Sequence, residues 1–279
     1  LIFGSGGIFP DATTPVTWVD RNGSTEVVAQ LDQKWLGSVR LSPDGLYIAY
    51  RTVGKSAEVW VYDTLLGTSR RITSEGRAMH LCWTPDGKRL TFAYSKAGTV
   101  NIFWKAVDSS GSAESEPLVA SEYMLQPTFW SPDGGKLIFV ERNPKSNNDI
   151  CIYRKESRQK EPLFNAEYEE EYPAISRDGL WLAYCSNETG RYEVYVSSIS
   201  NPSKTIPITS TGGCAPLWAP DGRAIYFWSP DWSKLMAIDI FALEPEIRAG
   251  KPHEMFTFPT PSISYVRPYD ISHDGRRFL

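Results

Sequence analysis

Apolar runs recur along the chain at a regular interval, and the same short polar phrase launches each of them. The copies read LSPDGLYIAY from Leu41, WTPDGKRLTFAY from Trp83, WSPDGGKLIFV from Trp130, ISRDGLWLAY from Ile175, WAPDGRAIYFW from Trp218 and ISHDGRRFL from Ile271. In each, an apolar or aromatic residue and a small residue lead, usually through Pro, into Asp-Gly. Asp-Gly between apolar runs predicts a tight hairpin, because such turns need positive φ and Gly supplies it without steric cost. The aspartates Asp44, Asp86, Asp133, Asp178, Asp221 and Asp274 are 42, 47, 45, 43 and 53 residues apart. A period in this range is the mark of a repeat architecture with one small sheet per repeat.

Two further strand patterns follow each hairpin. The first alternates with aromatics: EVWVYD (58–63), NIFWKAVD (101–108), DICIYRK (149–155), EVYVSSI (193–199) and LMAIDI (235–240). The second is shorter and less apolar: RRITS (70–74), EPLVAS (116–121), EPLFNA (161–166), TIPITS (205–210) and EMFTF (254–258). Four strands per repeat make a propeller blade. The ends complement each other. Residues 16–30 hold third and fourth strands without a preceding hairpin, and residues 267–279 hold a hairpin with nothing after it. The expected fold is therefore an all-β, six-bladed propeller with four antiparallel strands per blade and a closing blade shared by both termini. Closure removes the sheet edges that invite aggregation.

Composition bounds the rest. A chain of 279 residues with 41% apolar and 13% aromatic content supports one closed all-β domain over 1–279. Net charge is −4, and no basic stripe favours nucleic acid. No apolar run reaches the ~20 residues of a membrane-spanning helix, so this domain is not expected to insert in a membrane. The chain begins Leu1-Ile2-Phe3 and stops at Arg277-Phe278-Leu279 inside a strand pattern, which reads as a fragment of a longer protein. Cys82, Cys151, Cys185 and Cys214 form no CxxC pair and read as buried thiols, with a disulfide left open.

With the repeats laid out, the chain resembles the TolB-like propellers, whose blades carry the same SPDG hairpin. The order of TWVDRNG, LSPDGLYIAY with VWVYDTLLGTSRRIT, ISRDGLWLAYCSNETGRYEVYV, STGGCAPLWAPDGRAIYF and ISHDGRRFL is similar to the C-terminal propellers of bacterial serine/threonine kinases and related membrane-linked regulators. That resemblance implies a non-catalytic recognition or sensor domain, monomeric, periplasmic or extracellular, binding a protein, a peptide or a small polar ligand. Two alternatives stay open. One is a propeller enzyme, a metal-dependent lyase, lactonase or hydrolase. The other is the substrate-gating propeller of a prolyl oligopeptidase-type peptidase. Neither kinase motifs nor a GxSxG nucleophile elbow occurs in the chain.

By analogy with other propellers, ligands are expected on the face built by the loops between blades, opposite the Asp-Gly hairpins. Residues just before an innermost strand converge there on the central channel. Trp35, Arg77, His80, Gln126, Glu171 and Arg267 are the candidates. Arg77 and Arg267 offer bidentate donors for a carboxylate, or ion pairs to the nearby glutamates. Trp35, with Tyr123, Tyr172 and Tyr265, offers flat amphipathic surface, or interblade packing. His80 lacks the partner spacing of a histidine zinc site. Glu167, Glu169 and Glu170, with Glu171, crowd one loop. They read either as a solvated acidic face or as a calcium site there or in the channel; no other cofactor is implied. The six phrase aspartates read as turn residues that cap their own backbone.

Overall fold

A computed structural model describes residues 15–31, 36–52, 57–74, 77–96, 99–108, 114–145, 147–164, 166–257, 267 and 269–279. It is a six-bladed β-propeller. The first blade comprises Leu36–Leu41, Tyr47–Thr52, Val59–Asp63 and Thr68–Arg71. The second comprises Arg77–Trp83, Arg89–Lys96, Thr99–Ala106 and Glu116–Val119, and the third Met124–Trp130, Lys136–Asn143, Asn147–Arg154 and Gln159–Pro162. The fourth comprises Glu170–Ile175, Trp181–Ser186, Glu193–Ser198 and Thr205–Pro207. The fifth comprises Cys214–Trp218, Ala224–Trp228, Lys234–Ala242 and His253–Thr257, with the short Arg248–Ala249 also paired to the third strand. All strand pairs are antiparallel. No helix occurs among the described residues, and none is long and apolar enough to cross a membrane.

The closing blade joins the two ends of the chain. Pro15–Asp20 pairs with Thr25–Gln30 on one side and Arg277–Phe278 on the other, and Ile271 bridges Phe278. Thus the N-terminal segment supplies the outer strands and the C-terminal segment the inner hairpin. Arg21 secures the joint by donating to Gly275 O from Nε at 3.1 Å and from Nη2 at 2.9 Å.

Five of the six phrases fold by the same side-chain chemistry; in the remaining one, Ala219 replaces the hydroxyl residue and Arg223 N alone donates to Asp221 Oδ1, at 3.0 Å. In the first blade, Leu46 N donates to Asp44 Oδ1 at 3.0 Å, and Tyr47 N donates to Ser42 Oγ at 2.9 Å. The Ser42 hydroxyl in turn donates to the Asp44 carboxylate. Thr84/Asp86, Ser131/Asp133, Ser176/Asp178 and Ser272/Asp274 repeat the arrangement. These hydroxyl and amide donors hold Asp86, Asp133 and Asp274 below the usual carboxylate range. The six phrase glycines have φ between 67° and 75°. The second residue of each following strand is Ile48, Leu90, Leu137, Leu182, Ile225 or Phe278, none more than 2% exposed. Burial of such a side chain contributes about 1.5–3 kcal/mol.

The phrase also joins blade to blade. Its leading tryptophans reach backward: Trp83 Nε1 donates to Arg40 O at 3.0 Å, Trp130 Nε1 to Thr91 Oγ1 at 2.9 Å and Trp218 Nε1 to Ala174 O at 3.1 Å. Its glycines abut the preceding phrase. A Cβ on Gly179 would lie 3.1 Å from Pro132 Cδ, whereas one on Gly222 would meet nothing within 4 Å. The contrast separates local strain from the interblade contact. Gly179→Val and Gly222→Val should each lose about 1–3 kcal/mol to positive φ. Gly179→Val should lose measurably more in urea unfolding. Equal losses would show that the glycine–proline contact contributes nothing.

Candidate functional site

The innermost strands line the channel, and they are not regular. Register breaks fall between Met79/Leu81, Glu171/Ala174 and Cys214/Leu217. At these breaks His80, Tyr172 and Ala215 take φ of 42°, 53° and 52°. A bulge of this kind bends the strand and re-aims the side chain. Here the first two bulges turn His80 and Tyr172 into the channel. Together with Arg40, Gln126, Glu171 and Arg267 they line a throat of about 30 Å3.

The structure therefore brings His80, Gln126, Glu171 and Arg267 together. Arg77 stays apart. It opens the innermost strand of the second blade opposite Ser95 and is exposed. Its positive charge is felt by Arg51. Trp35 and Tyr265 lie outside the described residues. Among the described residues Arg267 makes no ion pair with the glutamate loop; its Nη2 donates to Tyr172 O at 3.1 Å and Pro173 O at 3.0 Å. Its guanidinium carbon sits 4.8 Å from the Phe129 ring centroid.

Arg40 and Arg267 bring two buried positive charges to the throat, opposed by Glu171 and the nearby Asp270. Arg40 is 8% exposed, and its Nη1 donates to Val39 O at 2.6 Å and Arg267 O at 3.1 Å. Burial, then the charge of Arg40, pulls Arg267 down to about 10. Asp270 lies nearby but spends its oxygens on Leu41 N and Ile271 N, both at 2.9 Å. Arg142 Nη2 stands 3.6 Å from Glu171 Oε1, which also accepts from Asn148 Nδ2 at 2.6 Å. With the Gln126 amide offering its oxygen, Arg142 Nη2 donates to it at 3.2 Å. Burial, followed by the charges of Arg51, Arg142 and Arg40, drives His80 down to about 3, so it is a neutral imidazole at physiological pH.

Above the throat the channel opens into a groove of about 580 Å3 on the interblade-loop face. Arg142, Glu169, Glu171, Tyr172, Arg191, Tyr192 and Trp232 line it. Trp232 is the anchor. It lies edge-on to Tyr172, with ring centroids 6.0 Å apart, and stacks on Trp228 at 6.1 Å. Its φ of 57° is a left-handed backbone that a bulky residue rarely adopts. The cause is legible: Ser229-Pro230-Asp231-Trp232 is a further copy of the phrase turn, with Trp in the glycine position. Asp231 Oδ1 accepts from Ser229 Oγ at 2.6 Å and Ser233 N at 3.2 Å, and these bonds hold its carboxyl at about 2. Absence of glycine hid this turn, although Ser-Pro-Asp marked it.

The glutamates of the acidic loop disperse. Glu167 offers its backbone carbonyl to Asn147 Nδ2 at 3.3 Å. Glu169 accepts from the Tyr192 hydroxyl at the groove wall. Glu170 is 3% exposed, and its Oε2 has no partner among the described residues. Glu171 faces the throat. Among the described residues no three His, Cys, Asp or Glu side chains are placed to hold a metal together. The glutamates that crowd together in the sequence are thus spread over the loop, the groove wall, the interior and the throat. Successive residues of the strand Glu170–Ile175 point to opposite sides, so Glu170 enters the interior while Glu171 turns to the channel. The cysteines are buried and free. Burial pushes the Cys82 and Cys151 thiols up to about 12.

The opposite mouth is a funnel of about 310 Å3 between the phrase residues Pro43, Pro85, Pro132 and Pro220, with Trp83, Trp130 and Trp218 above Arg40 and Asp270. Its wall is the ring of turns that closes the propeller.

Solved structures similar to this chain are propellers. A putative TolB from Agrobacterium tumefaciens shares 19% identity over 94% of this chain and 95% of that one, with a TM-score of 0.73. TolB from Acinetobacter baumannii shares 19% identity over 90% of this chain and 68% of that one, with a TM-score of 0.67. A prolyl endopeptidase shares 17% identity over 90% of this chain and 40% of that one, with a TM-score of 0.61. At these identities the likeness is one of fold. No protein-family model and no curated protein sequence matches the chain.

Glu170 supplies a test of the site's electrostatics. Burial, then the charge of Asp149, raises its carboxyl from 4.5 to about 7. The folded state thus binds the proton more tightly than the unfolded state, and stability falls as pH rises from 4.5 to about 7. Glu170→Gln should raise unfolding free energy by about 1–3 kcal/mol at about pH 8 and change it little near pH 5. Urea unfolding at both pH values checks this; a pH-independent gain would contradict it.

Proposed function

We propose that this domain is a non-catalytic recognition propeller that holds a peptide segment of a protein partner in the groove above the throat. The observation that carries the reading is Trp232. A large aromatic is kept in left-handed backbone at the groove wall, where glycine would relieve the strain. Strain of this kind persists when the surroundings over-determine it, and it concentrates at ligand sites. Tyr172 and Tyr192 add amphipathic surface, and Glu169, Arg142 and Arg191 put both signs of charge around it. Rigid aromatics within a charged rim suit peptide contact.

Chemistry argues in the same direction. A cysteine nucleophile needs a lowered pKa, whereas burial raises Cys82, Cys151 and Cys185. The TolB-like fold and the sequence likeness to kinase-attached propellers support a sensor role. We read the domain as the periplasmic or extracellular part of a membrane-linked regulator.

Random peptides displayed on phage and selected on the wild-type protein test the reading. Trp232→Gly should weaken the selected peptides by about tenfold or more, with the melting temperature retained. Arg89→Ala, on the wall of a separate cavity at the hairpin face, should leave them unchanged. Binding indifferent to Trp232, or hydrolysis of the selected peptides, would overturn the proposal.

A further inference from the structure

Two arginines inside the propeller each leave one donor unpaired among the described residues. Arg40 and Arg267 are 8% and 3% exposed, and both line the throat. The Nε of each has no hydrogen-bond partner among the described residues. Neither guanidinium is salt-bridged to a carboxylate among those residues. The charge of Asp270 offsets part of both guanidinium charges, but its oxygens already accept other donors. Asp270 accepts two backbone amides, and Glu171 is shared by Asn148 and Arg142. A buried charge is ordinarily paired, because an uncompensated one strongly destabilises the fold. Arg51 and Arg142 add to the same field, which keeps the proton off His80. Both residues with an unpaired donor thus line one small cavity.

We propose that this throat binds the carboxylate group of a ligand, seated against Arg40 and Arg267. Size selects the group. The throat has about 30 Å3, room for two or three atoms at about 10–15 Å3 per water-sized position. A planar carboxylate has three non-hydrogen atoms and matches the donor geometry of guanidinium. A tetrahedral phosphate is bulkier. Glu171 and Tyr172 line both the throat and the groove, so the two spaces adjoin. A ligand in the groove can therefore reach the throat with an acidic end. The inference deepens the peptide-recognition reading and rests on it only for the remainder of the ligand. The carboxylate site stands on the throat residues themselves.

Acetate is the first probe. Its methyl signal, followed by saturation-transfer NMR at constant ionic strength, should show saturable binding to the wild-type domain. Formate should displace it. Acetamide, which has the shape without the charge, should not displace it, and neither should phosphate. Arg40→Met should weaken acetate by about tenfold or more, the value of a charge-assisted hydrogen bond. Because Arg40→Met also alters packing, Glu171→Gln supplies a second arm. It removes a competing negative charge, so acetate should tighten several-fold, an effect that damage to the fold cannot mimic. Trialanine compared with its C-terminal amide then separates the sources. Tighter binding of free trialanine than of acetate, lost in the amide, assigns the site to a peptide terminus. Binding of acetate alone assigns it to a small free acid. Either outcome supports a carboxylate site. Non-saturable acetate binding, displacement by phosphate at equal strength, or weaker binding in Glu171→Gln overturns it. Acetate failure with Trp232-dependent peptide binding intact sinks this inference alone. Acetate success without such peptides sinks the groove reading alone.

Discussion

Ring closure is the constraint on which the rest of this structure depends. The last hairpin must reach the first blade, and backbone-level contacts hold it there. Leu41 N donates to Asp270 Oδ2, Arg40 Nη1 donates to Arg267 O, and the Arg277–Phe278 strand pairs with Pro15–Asp20. Tyr269 spans toward the fifth blade, donating its hydroxyl to Ala215 O at 2.9 Å and Tyr226 O at 3.1 Å. The contacts to the first blade and to the N-terminal strand join residues more than two hundred positions apart, and together they complete a circle that no single blade could stabilise. With the circle complete, every sheet has neighbours on both sides and the channel acquires a continuous wall.

The channel then inherits its chemistry from geometry. Innermost strands run side by side around an axis, so a charge on one blade faces charges on others that are remote in sequence. Arg40 comes from the first blade, His80 from the second, Gln126 from the third, Glu171 from the fourth and Arg267 from the closing segment. Removal from water strengthens their mutual effect. Burial and three arginines therefore act on one imidazole. Strand bulges decide which side chains participate, since each extra residue changes the direction of those after it.

The two mouths divide the labour. The hairpin mouth is a band of prolines and tryptophans whose contacts run from each blade to the one before it. The interblade mouth carries the irregular features, including the left-handed Trp232 and the mixed charges around it. Regularity at one end supports irregularity at the other. The same Ser-Pro-Asp chemistry appears at both, as glycine turns on one face and as the Trp232 turn on the other.

By itself, the sequence determined the repeat, the turns, the blade number and the shared closing blade. Those are local consequences of apolar periodicity and of glycine's tolerance for positive φ. It also placed His80, Gln126, Glu171 and Arg267 before innermost strands, which was enough to put them near the channel. Tertiary structure alone decided the remainder. Arg40 and Arg142 sit within ordinary strand patterns, and nothing local announces that one lines the throat and the other the groove. Tyr192 and Trp232 lie in loops of neighbouring blades that only packing brings together. The run Glu167–Glu171 looks like one acidic cluster, yet strand alternation and burial send its members in different directions. Arg77 looks equivalent to Arg267, yet one is exposed and the other buried. Local chemistry sets the conformation of each turn and strand, but the environment of a charged side chain depends on what the closed ring places opposite it.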